Sequence, residues 1–351
     1  MAEHRRPDDE IGDDRWDHLA EEHGPSYEKH AWKRGRKGPR KRSAGKVESQ
    51  GPPAQVLTVG ARRCTVLWRE EKVPCRLPSS LSVNQQAEVA VGDRVLVEKD
   101  RGTCWVREVQ PRDTVLSRPD PRNPRLQRII AANMDTVVIV VAARRPGIRP
   151  GLIDRYLLAV EHGGARPVIC LNKIDLVPPE ERSADPELAL AQPYRDLGLE
   201  VVLCSAKEER GLDALRAALH DQLCVFVGHS GVGKSSLINA LHPKLDLDTS
   251  PVRERDGTGQ HTTTRSNLFE LDEGIRVIDT PGVREFGLWN LEPAQVRQSF
   301  EEFLPHAAAC RFTDCTHTHE PQCGVREAVA AGEIPEQRYE AYRRILDSLE
   351  E

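Results

Sequence analysis

The stretch that most restricts how this chain can fold is GHSGVGKS, residues 228–235, together with its neighbours. It follows the apolar run LCVFV and precedes SLINAL, so a buried strand leads into a glycine loop and then a helix. Gly228, Gly231 and Gly233 let main-chain N–H groups curl around an anion, and the helix start adds its positive end. The spacing is that of a polyphosphate cradle running from Gly228 through His229, Ser230, Gly231, Val232 and Gly233 to Ser236. Lys234 would reach the terminal phosphates, and the Ser235 hydroxyl would ligate a magnesium ion. In most chains with such a loop, the segment that reads the base lies downstream. Here the candidate, LNKIDL at 171–176, lies upstream, at the end of the apolar run RPVICLN.

That candidate is specific about the base. Asp175 offers two carboxylate oxygens to the N1–H and N2–H₂ donors of guanine, whereas adenine presents no such donor pair. Asn172 would brace the surrounding loops, and the stem of Lys173, beside Ile174, would cover the base plane. The next apolar run ends in CSAK (204–207), where Ser205 and Ala206 would place a main-chain N–H against guanine O6. Downstream of the glycine loop stands DTPG (279–282). Asp279 would hold magnesium through water, and the Gly282 N–H would meet the γ-phosphate and sense its loss. The polar segment RERDGTGQHTTTRS (253–266) reads as a mobile switch. One threonine of Thr262, Thr263 and Thr264 should complete the magnesium shell, Thr263 first and Thr264 second.

All the elements of a GTP-binding domain are therefore present in rotated order: the two base segments, then the phosphate loop, switch and DTPG. Rotation preserves a fold when the original termini lie close together. GLDALRAALHD (211–221) would then be the last helix of the unrotated fold, joined directly to its first strand. The expected domain, 116–288, is a circularly permuted, three-layer α/β P-loop GTPase with a mostly parallel sheet.

The flanks have other characters. Residues 1–52 are polar and charged, with eight acids against one arginine over 8–22 and nine Lys/Arg without an acid over 29–46; this predicts a disordered tail. Five short strand-like runs over 53–115 predict an N-terminal OB-type β-barrel, on which Arg62, Arg63, Arg69, Lys72 and Arg76 supply positive charge. LSRPDPRNPRLQRIIAANMD (116–135) reads as a proline-punctuated connector. Over 289–351 a mostly helical domain is expected around CRFTDCTHTHEPQC. Its Cys310, Cys315, His317 and Cys323 form a closed set suited to one structural zinc ion, with His319 a competing fourth ligand. The tyrosines of PEQRYEAYRRILDSLEE predict a packing stripe. An odd count of nine cysteines fits a reducing cytosol better than a disulfide framework. No apolar run is long enough to span a membrane.

Together, LSRPDP, AANMDTVVIVVAA, LNKIDL, GHSGVGKSSLINAL, GQHTTT, DTPGVREFGLW and the cysteine–histidine cluster resemble the ribosome small-subunit-dependent GTPase A family of bacteria, over about residues 54–351. The resemblance implies a cytoplasmic, monomeric factor of late 30S maturation. It would bind 16S rRNA and hydrolyse GTP to GDP when the subunit stimulates it. It also implies that His261 orients the attacking water, because Val283, just after DTPG, cannot; Gln260 is the alternative. Two rivals are a GTP-gated RNA-binding module with incidental hydrolysis, and a GTPase with a non-ribosomal partner.

Overall fold

The computed structural model describes residues 52–60, 62–83, 86, 87, 89–120, 123–242, 245, 266–279 and 291–350. Strands β1 (Ala54–Val59), β2 (Arg63–Trp68) and β3 (Glu71–Arg76) open the fold. A two-residue pairing of β4 (Ser82–Val83) with β5 (Gln86–Ala87) precedes β6 (Arg94–Asp100) and β7 (Thr103–Val109). Alternation decides which side faces in: Cys64, Val66 and Trp68 of β2 point to the same interior as Val95, Val97, Cys104 and Val106. The order β1-β2-β3-β7-β6 closes on itself because Ala54 also pairs with Val95, giving the expected five-stranded barrel.

The expected connector is instead a hairpin, β8 (Val115–Asp120) with β9 (Asn123–Ala132). Its prolines misled the reading. A two-stranded ribbon has an outer edge on each strand, where proline removes no ladder bond, and the register shifts beside Pro119.

The next strand, β10 (Thr136–Ala142), is buried along its whole length. Helix α1 (Pro150–His162) leads to β11 (Arg166–Asn172). Short helices α2 (Pro186–Ala189) and α3 (Gln192–Asp196) precede β12 (Glu200–Leu203) and α4 (Leu212–Leu219). Then come β13 (Leu223–Val227), α5 (Lys234–Leu241), β14 (Asn267–Glu270) and β15 (Arg276–Asp279). The strands order β12-β11-β10-β13-β15-β14, all parallel except β14. Val137, Ile139 and Val141 of β10 pack with Ile153, Tyr156 and Leu157 of α1. Val138 and Val140 face the other way, onto Leu215 of α4 and Leu237 of α5. This is the three-layer arrangement, and α4 runs into β13 after only a short turn, as a rotated chain requires.

The barrel is continuous with this sheet. Thr58 of β1 pairs with Asn267 of β14, making one eleven-stranded array. Beside that seam, a Cβ on Gly92 would fall 2.0 Å from the Ala132 carbonyl and 3.2 Å from Ile278 Cδ1, so only glycine permits the approach.

The last domain has α6 (Pro293–Ser299), α7 (Leu304–Ala307), α8 (Gly324–Ala331) and α9 (Glu336–Glu350). The tyrosine stripe packs: Tyr342 is fully buried, with edge contacts to Phe300 and Phe303 at 5.2 and 5.1 Å between ring centroids. All nine cysteines are free. No described helix is long and apolar enough to cross a membrane.

Candidate nucleotide site and metal cluster

β13 is fully buried and delivers the glycine loop at the carboxyl edge of the sheet, where ligands of open α/β folds sit. Gly228 and Gly233 both have positive φ, +140° and +96°. A Cβ on Gly228 would meet the Val140 carbonyl at 2.2 Å, and one on Gly233 would meet Asn172 Nδ2 at 2.4 Å. Lys234 Nζ folds over the loop and donates to the carbonyls of Gly228 at 2.5 Å and His229 at 2.9 Å. Ser235 and Ser236 open α5 half-buried, whereas Ser230 and Gly231 are exposed at the loop's tip.

Asn172 ends β11 and is buried. Its Nδ2 donates to the Val232 carbonyl at 2.9 Å, and its Oδ1 accepts from the Ala206 N–H at 3.1 Å. One amide thus ties the two base segments to the phosphate loop. Lys173 adopts the left-handed region (φ +61°), turning the chain so that Ile174 tucks in and Asp175 follows on a short 3₁₀ turn. Lys173 Nζ donates to the Arg145 carbonyl at 2.6 Å; burial lowers its pKa, with Asp175 pulling the other way. Asp175 Oδ1 accepts from the Ser205 hydroxyl at 2.7 Å.

The Ser205 N–H donates to Arg210 O at 2.9 Å, and the Ala206 N–H donates to Asn172 Oδ1 at 3.1 Å. The tight turn from Ser205 to Arg210 closes the segment on itself through a reciprocal pair of main-chain bonds.

Asp279 is the last residue of β15, which lies beside β13 in parallel register (Val225 opposite Ile278). Burial raises its pKa and the Lys234 ammonium lowers it, which places the two groups in one electrostatic site. His261, Gln260, Thr262, Thr263, Thr264 and Gly282 lie outside the described residues, as does the expected tail apart from Pro52.

The sequence reading overlooked one wall of this site. Pro146, Gly147, Arg149 and Leu152, between β10 and the first turn of α1, face His229 and Val232 across a narrow cleft. The signal was available in ARRPG, a Pro-Gly turn directly after a buried strand.

In the C-terminal domain, the ligand atoms of Cys310, Cys315, His317 and Cys323 all lie within 4.8 Å of one another. His317 Nδ1 is 3.5 Å from Cys310 Sγ and 3.4 Å from Cys323 Sγ, and those sulfurs are 3.9 Å apart. Bonds of about 2.3 Å to sulfur and 2.1 Å to nitrogen give tetrahedral separations of roughly 3.6–3.8 Å. The donor set therefore fits one metal ion, with His317 binding through Nδ1. Burial lowers the His317 pKa, favouring the neutral imidazole a metal needs, and pushes the Cys315 thiol up to about 12, which a divalent cation would reverse. His319 is exposed, with Nδ1 2.9 Å from Thr318 Oγ1, and stands outside the cluster. The loop is pinned from above. Tyr339 and Tyr342 donate to the carbonyls of His317 and Thr316 at 2.7 and 2.6 Å, and Glu320 accepts from Thr316 N and Oγ1, both at 2.6 Å.

Comparison with known proteins agrees with this arrangement. Residues 109–289 match the family described as RsgA GTPase. The small ribosomal subunit biogenesis GTPase RsgA 1 of Vibrio vulnificus (strain YJ016) is 44% identical over 265 residues, 74% of each chain. The small ribosomal subunit biogenesis GTPase RsgA of Chromohalobacter salexigens is 48% identical over 263 residues, 74% of this chain and 75% of its own. Among solved structures, YjeQ from Thermotoga maritima superposes with TM-score 0.67 at 31% identity, covering 85% of this chain and 98% of that one. YloQ, described as a circularly permuted GTPase, gives 0.64 at 27% identity over 87% and 98%. With its phosphate loop and base segments joined in reversed chain order, the chain belongs to the RsgA GTPase family and is a GTP hydrolase.

Proposed function

We propose that this GTPase acts in the cytoplasm as a monomer on the small ribosomal subunit, hydrolysing GTP as a late checkpoint of 30S maturation. Relatives named for small-subunit biogenesis, at 44 and 48% identity over three-quarters of the chain, support the partner. The observation that supports the nucleotide reading most is the Asn172–Val232 bond, which ties the segment carrying Asp175 to the phosphate loop.

In that pocket the Asp175 carboxylate, steadied by Ser205, takes the N1–H and N2–H₂ of guanine, and the stem of Lys173 covers the ring. The main-chain N–H of the Ser205–Ala206 turn, that of Ala206 lying beside Asn172, is the donor to guanine O6. The loop from Gly228 to Ser236 holds the phosphates. Lys234 exchanges its two carbonyl partners for β- and γ-phosphate oxygens. Ser235 and Thr263 would ligate magnesium directly and Asp279 through water, while the Gly282 N–H would meet the γ-phosphate. Magnesium held there would neutralise charge that develops on the phosphates. His261 orients the attacking water. Zinc held by Cys310, Cys315, His317 and Cys323 would have four protein ligands, a set suited to a structural role.

The flanking domains grip 16S rRNA. On the barrel, Arg69 and Lys99 lie 4.8 and 5.4 Å from the Trp68 ring, and Arg76 lies 5.9 Å from that of Trp105. Cations held over aromatic rings suit a phosphate backbone with adjoining bases.

Co-sedimentation with 30S particles tests the reading. Retention with a non-hydrolysable GTP analogue but not with GDP, and phosphate release accelerated by 30S, are the expected results. Equal retention in both states with no acceleration would reject it.

A further inference from the structure

Arg338 of α9 carries a side chain that is 5% exposed, and a guanidinium so buried needs partners. It has them from three separate parts of the chain. Nη1 donates to Asp154 Oδ1 on α1, and Nε donates to Glu302 Oε1 at 2.6 Å, just before α7. Its flat face lies 4.5 Å from the Phe300 centroid and 5.7 Å from that of Tyr194 on α3. The fork has one geometry in which both carboxylates and both rings are satisfied. It therefore fixes the direction of α1 relative to the C-terminal domain, not merely the distance between them. Leu158 of α1, packed among Phe300, Phe303 and Tyr342, seals the same contact.

From Asp154 the contacts run toward the base pocket. Tyr194 Oη donates to the carbonyl of Pro150, the first residue of α1, at 3.1 Å, and Gln337 Nε2 donates to Leu190 O at 3.3 Å. The N-cap of α1, Arg149, makes no side-chain cap hydrogen bond, and the Tyr194 hydroxyl tethers the first residue of the helix. That start carries Pro146, Gly147, Arg149 and Leu152, the wall facing the phosphate loop. One strand away, the Arg145 carbonyl accepts the Lys173 ammonium, and the Ala143 N–H donates to the Asn172 carbonyl.

We propose that Arg338 is a positioning residue for the guanine pocket. By orienting α1 through Asp154 and Tyr194, the C-terminal domain sets where the 143–149 wall stands against Lys173 and Val232, and so sets affinity at the base end of the nucleotide. This rests on the reading that Asp175 holds guanine. It gives the C-terminal domain a route to the nucleotide through α1.

The test uses the full chain and fluorescent GDP, with IDP, which lacks the 2-amino group, as competitor, well below the melting temperature of every variant. Arg338→Met keeps bulk and loses the fork; the double variant Asp154→Asn/Arg338→Met leaves one buried carboxylate, that of Glu302, unpaired instead of two. Both should weaken GDP about tenfold and narrow the preference for GDP over IDP, and Arg338→Lys should restore little. Ile345→Ala, a cavity in the same helix two turns beyond Arg338 that leaves the fork intact, should lower the melting temperature and leave GDP affinity within twofold. Arg338→Met and the double variant binding GDP like wild type, or Ile345→Ala weakening it equally, would overturn the proposal. Asp175→Asn separates the two levels. If it loses GDP while Arg338→Met does not, only the positioning role fails; if it binds GDP normally, the guanine reading fails first and takes the proposal with it.

Discussion

The side-chain amide of Asn172 donates to the main-chain carbonyl of Val232 across 2.9 Å, joining a base-reading segment to a phosphate loop that follows it in the chain. That bond exists because Gly233, the next residue, has no side chain.

Gly233→Ala should therefore abolish nucleotide binding. Its Cβ would stand 2.4 Å from Asn172 Nδ2 on a backbone with φ of +96°. Gly231→Ala meets open space and carries only left-handed strain, about 1–2 kcal/mol. Calorimetric titration with GDP should show no heat of binding for the first and a tenfold or smaller loss for the second, with unchanged circular dichroism for both.

Asp175→Asn replaces an acceptor pair by one acceptor and one donor. GTP affinity should fall by about 1–3 kcal/mol or more, while xanthosine triphosphate, which carries a carbonyl where guanine has its amino group, should gain. Competition between the two nucleotides measures the reversal. Ser205→Ala, which only releases one carboxylate oxygen, should cost less.

Metal removal should unfold the C-terminal domain first. One equivalent of zinc per chain is expected by elemental analysis, and a strong chelator or Cys315→Ser should remove it and abolish the slowest-exchanging amides of α8 and α9. Tyr342→Phe keeps the ring packing but strips the Thr316 carbonyl of its donor. A loss of about 1–1.5 kcal/mol in chemical unfolding is expected, with zinc retained.

Acid should weaken the same loop through Glu320. Burial opposes its ionisation, but the Thr316 hydroxyl and N–H, with the N–H groups of Thr318 and His319, hold its pKa down to about 2, below the unfolded value near 4.5. A folded pKa below the unfolded one gives stability that is complete above about 4.5 and disappears as pH falls toward 2. Glu320→Gln should melt below wild type at pH 7, and the gap between the two Tm curves should close through that acid window. A gap that is constant with pH would refute the assignment.

What could be read from the sequence was whatever is local. The glycine loop, Asn172 to Asp175 and the four metal ligands each lie within a few residues, so their spacing alone carries the chemistry. The β8–β9 hairpin was lost because proline acts locally as a breaker, while its tolerance at Pro119 depends on which strand edge is free. Asp154 and Arg338, 184 residues apart, look like ordinary solvated charges of two amphipathic helices; only the packing of α1 against α9 buries them together. The bond from the Ala206 N–H to Asn172, 34 residues away, was likewise invisible in the local sequence, because only the fold brings the two segments together.

The strand pairing between Thr58 and Asn267 also bears on how the protein stays dispersed. An open strand edge is a template for another chain, and β1 covers the β14 edge of the sheet from within the same molecule. Among the described strands the opposite margin is β12, only four residues long and guarded by the Glu200–Arg166 ion pair. A truncation that begins after the barrel would bare β14, and such fragments should self-associate through that edge while the intact chain does not.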